Sequence, residues 1–274
     1  MEGKIVLITG ATSGIGKETA IGLADLGATI IFTSRNVNKG EKIRDEITNS
    51  TNNDRVHMLK CDLASFESIR NCCKDFQERY DRLHVLINNA GVWDHNRRVS
   101  KDGVENIFAV NYLAPFLMTN LLIDILKKSK PSRIINITSG LHYGTINFKD
   151  IEFKKRFSGM KAYRQSKLGL ILFTRLLAKN LEETGVAVNC VQPGMTNTNL
   201  ARDAGMFSKT MFKLMGKDSH KAAETSIFLA SSSNLENITG EYFVNKKIKK
   251  SSKQSYDINL AKRLWELSIK YIDF

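Results

Sequence analysis

The chain has 274 residues, of which 42% are hydrophobic, 25% charged and only three are proline, a balance that fits a folded unit with a substantial core and excludes bulk disorder or a proline-rich linker protein. Its formal charge is +13, but no nucleic-acid-binding motif accompanies the lysines, so a solvated basic surface explains the excess and no nucleic-acid partner is expected. Cys61, Cys72, Cys73 and Cys190 show neither metal-ligand nor disulfide-framework spacing, and no apolar run approaches a membrane span, which points to a reduced compartment and no metal.

The N-terminus enters a β-branched run, Lys4 to Thr9, almost at once, which leaves no room for a signal peptide. The expected location is cytoplasmic or peripheral to an intracellular membrane. Short β-branched runs then alternate with amphipathic segments of helical length. Strands are predicted at 4–9, 28–34, 55–60, 83–88, 132–139, 186–191 and 241–245, and helices at 14–26, 37–49, 66–79, 101–127, 160–183, 220–231 and 257–270. This alternation builds βα units, here an α/β doubly wound, parallel, seven-stranded sheet of Rossmann type with helices on both faces. Ligands of such sheets bind at the carboxyl ends of the strands. Residues 1–274 read as a single domain.

The first strand end reads Thr9-Gly-Ala-Thr-Ser-Gly-Ile-Gly16. Glycines there permit positive φ and a close backbone approach to a pyrophosphate, while the helix N-terminus behind them presents free N–H groups and a partial positive charge. Gly10, Thr12, Ser13, Gly14, Ile15 and Gly16 are therefore candidate cofactor-binding residues, although the same turn could be only a tight connection. The second strand ends in Thr33-Ser-Arg35-Asn36. A free ribose 2′-hydroxyl calls for a carboxylate at this point and a 2′-phosphate for a cation; Arg35, with its planar donor fork, favours NADP(H). Lys17 offers a second positive charge. The third strand ends at Asp62 and Leu63, where Asp62 either meets an adenine amino edge or caps the helix that follows. Asn88-Asn89-Ala90-Gly91 closes the fourth strand as a wall of small and amide residues, or as an ordinary turn.

Further along, Tyr163 and Lys167 stand four residues apart on one predicted helix face. Together with Thr9 to Gly16, Asp62, Asn88 to Gly91, Asn111, Ser139 and Pro193-Gly194, this pattern resembles the short-chain dehydrogenase/reductase family over nearly the whole chain. Within it the chain looks most like the retinol dehydrogenase and WW-domain oxidoreductase branch, on Gly14-Ile-Gly-Lys-Glu-Thr19, Pro131-Ser-Arg-Ile-Ile135, Ser166-Lys-Leu168, Leu172-Phe-Thr174 and Gly240-Glu-Tyr-Phe243.

The resemblance implies a catalytic tetrad of Asn111, Ser139, Tyr163 and Lys167 in an NADP-dependent oxidoreductase of carbonyl or alcohol groups. Tyr163 would serve as acid or base, its pKa lowered by the Lys167 ammonium and an oxidised nicotinamide. Ser139 would polarise the substrate oxygen, with Thr138 as its local rival, and Asn111 would hold a water leading to Lys167. Pro193, Gly194 and Thr196 would border the nicotinamide carboxamide. A lid at about 195–218, carrying Met206, Phe207, Met211, Phe212, Leu214 and Met215, suits a bulky apolar substrate such as a retinoid, steroid or lipid aldehyde. Trp93, His142 and Tyr143 are further pocket candidates. The branch usually has His where this chain has Gln192. Homodimers or homotetramers are common in the family. Weak membrane-surface contact would fall to the basic 246–253 cluster or the C-terminal helix. The alternative function is a catalytically silent cofactor-binding scaffold.

Overall fold

A computed structural model describes residues 1–193 and 219–272. Gly194, Thr196 and the whole expected lid lie outside the described residues. In chain order the elements are β1 (Ile5–Ile8), α1 (Gly14–Asp25), β2 (Thr29–Ser34), α2 (Val37–Thr51), β3 (Val56–Lys60), α3 (Phe66–Arg79), β4 (Val85–Asn88), α4 (Asn106–Phe108), a π-helical turn (Ala109–Leu113), α5 (Ala114–Leu121), α6 (Ile123–Lys128), β5 (Ser132–Ile137), α7 (Gly159–Asn180), β6 (Val186–Gln192), α8 (Ser219–Ser231), β7 (Tyr242–Val244), β8 (Lys247–Ile248) and α9 (Ile258–Ile272).

Successive side chains of a strand point to opposite faces, and here both faces are buried. Val6, Ile8, Ile30, Phe32, Ile135 and Ile137 face one apolar layer, which α1, α2 and α8 close. Leu7, Ile31, Leu86, Ile134 and Val188 face the other, closed by α3, α5, α7 and α9. Continuous β-branched runs are therefore required of these strands. The strand order is β3-β2-β1-β4-β5-β6-β7-β8, parallel through β7.

The sheet has eight strands, not the expected seven. Asn245 and Lys246 both adopt positive φ (50° and 62°), as a two-residue hairpin turn requires, and β8 returns antiparallel to β7. Part of the basic cluster thus forms a sheet edge, with Lys246 paired to Glu224 at 2.7 Å. The helix expected at 101–127 is also corrected. Gly103 has φ +75° and the Ser100 hydroxyl accepts from the N–H groups of Asp102 and Val104, so a turn occupies 100–103. Helix begins only after Glu105, whose carboxylate caps Ile107 and Phe108.

The apolar face of α9 is spent within the chain. Leu264 is buried, Trp265 packs edge-on against Phe116 at 4.9 Å, and Ser268 hydrogen-bonds to the Tyr112 hydroxyl at 2.9 Å. No described helix is long and apolar enough to cross a membrane.

Candidate active site

The carboxyl ends of β1, β2, β3, β4, β5 and β6 carry the glycine turn, Arg35, Asp62, Asn89 to Gly91, Ser139 and Pro193 respectively. Because the strands are parallel, residues far apart in sequence arrive at one edge of the sheet, beside the reversal of strand order between β1 and β4.

The glycine turn is held from the side of β4. The Asn89 amide donates to the Thr9 and Gly10 carbonyls at 2.9 and 3.1 Å, and the Thr9 hydroxyl accepts from the N–H groups of Asn89 and Ala90. Gly10 has φ +70°, and a Cβ there would come within 2.7 Å of the Ala90 backbone. A Cβ at Gly16 would strike the Gly10 carbonyl and the Asn89 amide. Gly14 differs: at φ +56° it faces open space, with nothing within 4 Å of where a Cβ would sit. The Ser13 hydroxyl leaves the first turn of α1 uncapped, whereas Asn36, Ser65 and Ser158 cap α2, α3 and α7. Open space above unshared helix N–H groups fits the pyrophosphate of a dinucleotide. Thr12, Ser13 and Ile15 remain at least partly exposed on the same turn.

Arg35 is exposed and acts electrostatically on Asp62. Lys17, the expected second charge, is paired with Glu46. Asp62 is not a cap for α3, since Ser65 fills that role. Its carboxylate accepts from the Ala64 N–H at 3.1 Å and pairs with Lys101 at 3.0 Å. Burial raises its pKa, but Lys101 and the Ala64 bond together hold it below the ordinary value. Thr9, Leu63, Asn88, Ala90 and Val110 converge with Ala114, Pro115 and Met118, leaving no room between them for a water molecule.

Beside the end of β5, α7 presents Tyr163 and Lys167 on one face. The Lys167 ammonium lies 5.7 Å from the Tyr163 ring centroid and donates to the Ile137 carbonyl at 2.9 Å. Lys167 is 3% exposed, and burial pulls its pKa down to about 8. Burial raises the pKa of Tyr163, and the nearby Ser139 hydroxyl opposes the rise without cancelling it. Protein groups alone therefore push this phenol up, contrary to the lowering expected from Lys167. Thr138, the rival of Ser139, is buried and spends its hydroxyl on the Val191 carbonyl at 2.9 Å.

Asn111 sits in the π-helical turn with its amide clamped to the main chain of Val92, accepting at 2.7 Å and donating at 2.9 Å, and its amide also donates to the Ser166 hydroxyl at 3.2 Å. Gly91 lies over both partners. A Cβ there would be 3.4 Å from the Lys167 ammonium and 3.6 Å from the Asn111 amide oxygen. Pro193 follows directly on β6 and is partly exposed.

Of the pocket candidates, Tyr143 is exposed and Trp93 half-buried, edge-on to His95 at 4.1 Å. His142 is instead enclosed, hydrogen-bonded to the Ser139 carbonyl and to the Ser252 N–H. Gln192 accepts from the Tyr242 hydroxyl at 2.6 Å. Sequence reasoning missed this group, and it missed buried Gln165, whose amide ties the 147–151 loop to α7. A polar residue inside the Tyr-Arg-Gln-Ser-Lys run, at the start of the long stretch of α7 that is buried on every side, is the signal that could have found Gln165. All four cysteines are free and buried, and no cluster of metal-ligating side chains occurs among the described residues.

A doubly wound parallel sheet with an open glycine turn over α1 defines a dinucleotide-dependent class of protein. A short chain dehydrogenase family model matches residues 4–207. Retinol dehydrogenase 13 of Mus musculus is 41% identical over 280 residues, covering 98% of this chain and 84% of its own; retinol dehydrogenase 12 of Homo sapiens is 40% identical over 275 residues, covering 99% and 87%. Among solved structures, a Mycobacterium paratuberculosis protein superposes with a TM-score of 0.82 at 28% identity, covering 99% and 94%, and the Pseudomonas aeruginosa RhlG/NADP active-site complex shares the fold with a TM-score of 0.69 at 24% identity, covering 89% and 94%. The chain belongs to the short-chain dehydrogenase/reductase family, in its retinol dehydrogenase branch. It is an oxidoreductase of CH–OH or carbonyl groups, with a small-molecule substrate and a nicotinamide dinucleotide cofactor.

Proposed function

We propose that this enzyme reduces an aldehyde or ketone with NADPH, on an apolar substrate of the retinoid, steroid or lipid-aldehyde class, within a single domain. The observation that carries the reading is the meeting of Ser139, Tyr163 and Lys167 at the carboxyl edge of the sheet, with the Ser139 side chain near enough to act on the phenol and the Lys167 ammonium 5.7 Å from its ring. The reduced nicotinamide, when bound, supplies the hydride to the carbonyl carbon.

The chain's own residues then do three things. Ser139 Oγ donates toward the carbonyl oxygen and stabilises the charge that develops on it. Tyr163 passes its phenolic proton to that same oxygen, completing the alcohol. Burial raises the phenol's pKa from an ordinary value that already leaves it protonated at neutral pH, the form an acid needs. Lys167 places a cation beside the phenolate left behind, and Asn111 fixes the main chain of Val92 next to Gly91, which borders that cation. The retinol dehydrogenase relatives support the apolar substrate class.

NADPH is preferred because Arg35 ends β2 where a carboxylate would favour NADH, and among the described residues no carboxylate pairs with it. Arg35→Ala should raise the Kd of NADPH by about 10-fold or more while changing that of NADH less than about 2-fold, a charge-assisted bond being worth roughly 1.5–3 kcal/mol. Fluorescence titration with both cofactors decides it, and an equal loss for both defeats the 2′-phosphate argument.

A further inference from the structure

Four residues beyond the buried threonine that ends the β5 run of the site, His142 makes contacts that its chemistry restricts to one arrangement. Its ring is 2% exposed. The Ser252 main-chain N–H points at Nε2 at 3.0 Å, and an N–H can only donate, so Nε2 accepts and Nδ1 carries the proton. Nδ1–H then donates to the Ser139 carbonyl at 2.7 Å. The Tyr242 hydroxyl is 3.4 Å from that carbonyl and 3.5 Å from Nδ1, but its single proton goes to Gln192 Oε1 at 2.6 Å. Every bond in the group is then satisfied by the neutral imidazole alone.

The far end of this strut is also anchored. The Arg175 guanidinium, on α7, bonds the Ser251 hydroxyl at 3.2 Å and the Gly240 carbonyl at 2.9 Å, and lies 3.9 Å from the Tyr256 ring centroid. A closed path therefore runs from Ser139 through His142 to the 251–256 segment, and back through Arg175 to the helix that carries Tyr163 and Lys167. Displacements of about 1 Å at reacting groups cost roughly 10²-fold in rate, and the direction of Ser139 Oγ follows from its own main chain.

We infer that His142 is a positioning residue for the reaction: it grips the main chain of Ser139 and fixes its hydroxyl relative to Tyr163, using the C-terminal 251–256 segment as its brace. This rests on the reading of Ser139 as the group that polarises the substrate oxygen. Two amide variants divide the two bonds. His142→Asn retains a donor near Nδ1 for the Ser139 carbonyl, and His142→Gln an acceptor near Nε2 for Ser252. Ser252→Pro replaces the brace N–H by a ring methylene directed at Nε2 and so breaks the brace from the Ser252 side, at a residue whose φ of −60° is one that proline adopts.

The test is steady-state reduction kinetics for these three variants and Ser139→Ala, with cofactor Kd, thermal midpoint and the deuterium effect on kcat from 4-deuterated NADPH. His142→Gln should lower kcat by about 10- to 100-fold and raise the deuterium effect, with cofactor Kd within about 3-fold of wild type. His142→Asn and Ser252→Pro, which both lose the Ser252 bond, should each lower kcat by about 3- to 10-fold. Equal losses in Asn and Gln that track the thermal midpoint would overturn the inference. So would wild-type kcat in both His142→Gln and Ser252→Pro, and if the Gln protein does not fold, Ser252→Pro decides alone. Wild-type turnover in Ser139→Ala instead removes the underlying reading of the serine, a result distinct from a deficient Ser139→Ala beside unaffected His142 and Ser252 variants.

Discussion

Tyr163→Phe lowers kcat by about 10²- to 10⁴-fold, the usual worth of positioned acid–base help, and leaves cofactor affinity almost unchanged. The substitution removes one hydroxyl. The ring keeps its packing with Ile107 and Ala162, so the fold should survive with a loss of no more than about 1.5 kcal/mol, the value of a single hydrogen bond. What disappears is the proposed proton donor. The profile of loss identifies the role. A residue acting only in the transition state depresses kcat and kcat/KM together, whereas a residue that merely lines the pocket raises KM. Full turnover of an aldehyde panel by the Phe variant, with cofactor bound, would show that the acid lies elsewhere.

The second large effect concerns Lys167, and it links activity to stability through pH. The ammonium is 3% exposed, and its pKa of about 8 in the folded protein lies well below the ordinary lysine value near ~10.4. Between those two values the unfolded chain binds more protons than the folded one, so stability rises with pH across that window. Below about pH 8 the folded protein carries the full cost of a buried cation. Relative to Lys167→Met, wild type should therefore gain about 3 kcal/mol between pH 7 and pH 10.5, read from urea unfolding of both proteins at each pH. Tyrosines and other lysines titrate in the same range, and the comparison with the variant removes their share. Parallel stability profiles would contradict the assignment. At neutral pH the same variant should lose at least about 10²-fold in kcat, because a phenolate forming in a dry site depends on the neighbouring charge.

The parts of this site legible in the sequence are those where residue type alone states a backbone or chemical requirement. Gly10 and Gly16 could be read because no other residue fits against Ala90 and Asn89, and Tyr163 with Lys167 because a helix face brings i and i+4 together. Strand ends were legible because both faces of the sheet are apolar and the runs stop where polar loop residues begin. What escaped depends on partners that spacing does not reveal. His142 finds Ser252 more than a hundred residues away, and Gln192 finds Tyr242. Asn89 was expected to face a cofactor, and spacing gave no sign that its amide also staples the glycine turn. Lys17 was expected to add charge toward a phosphate and is matched by Glu46 from α2. The eighth strand is two residues long in a lysine-rich run, too short for alternation to register, and the helix start at 106 was hidden because Gly103 and Ser100 form a turn inside a segment of otherwise helical pattern.

The central claim is that hydride and proton converge on one carbonyl group at Tyr163. The most direct test is to incubate the enzyme with all-trans-retinal and NADPH deuterated at nicotinamide C4, on each face in turn, and to weigh the alcohol formed. One label should give an alcohol one mass unit heavier with the deuterium on the carbinol carbon, at a rate that collapses in Tyr163→Phe. An alcohol without deuterium from either label, or deuterium transfer undiminished in the Phe variant, would contradict the account.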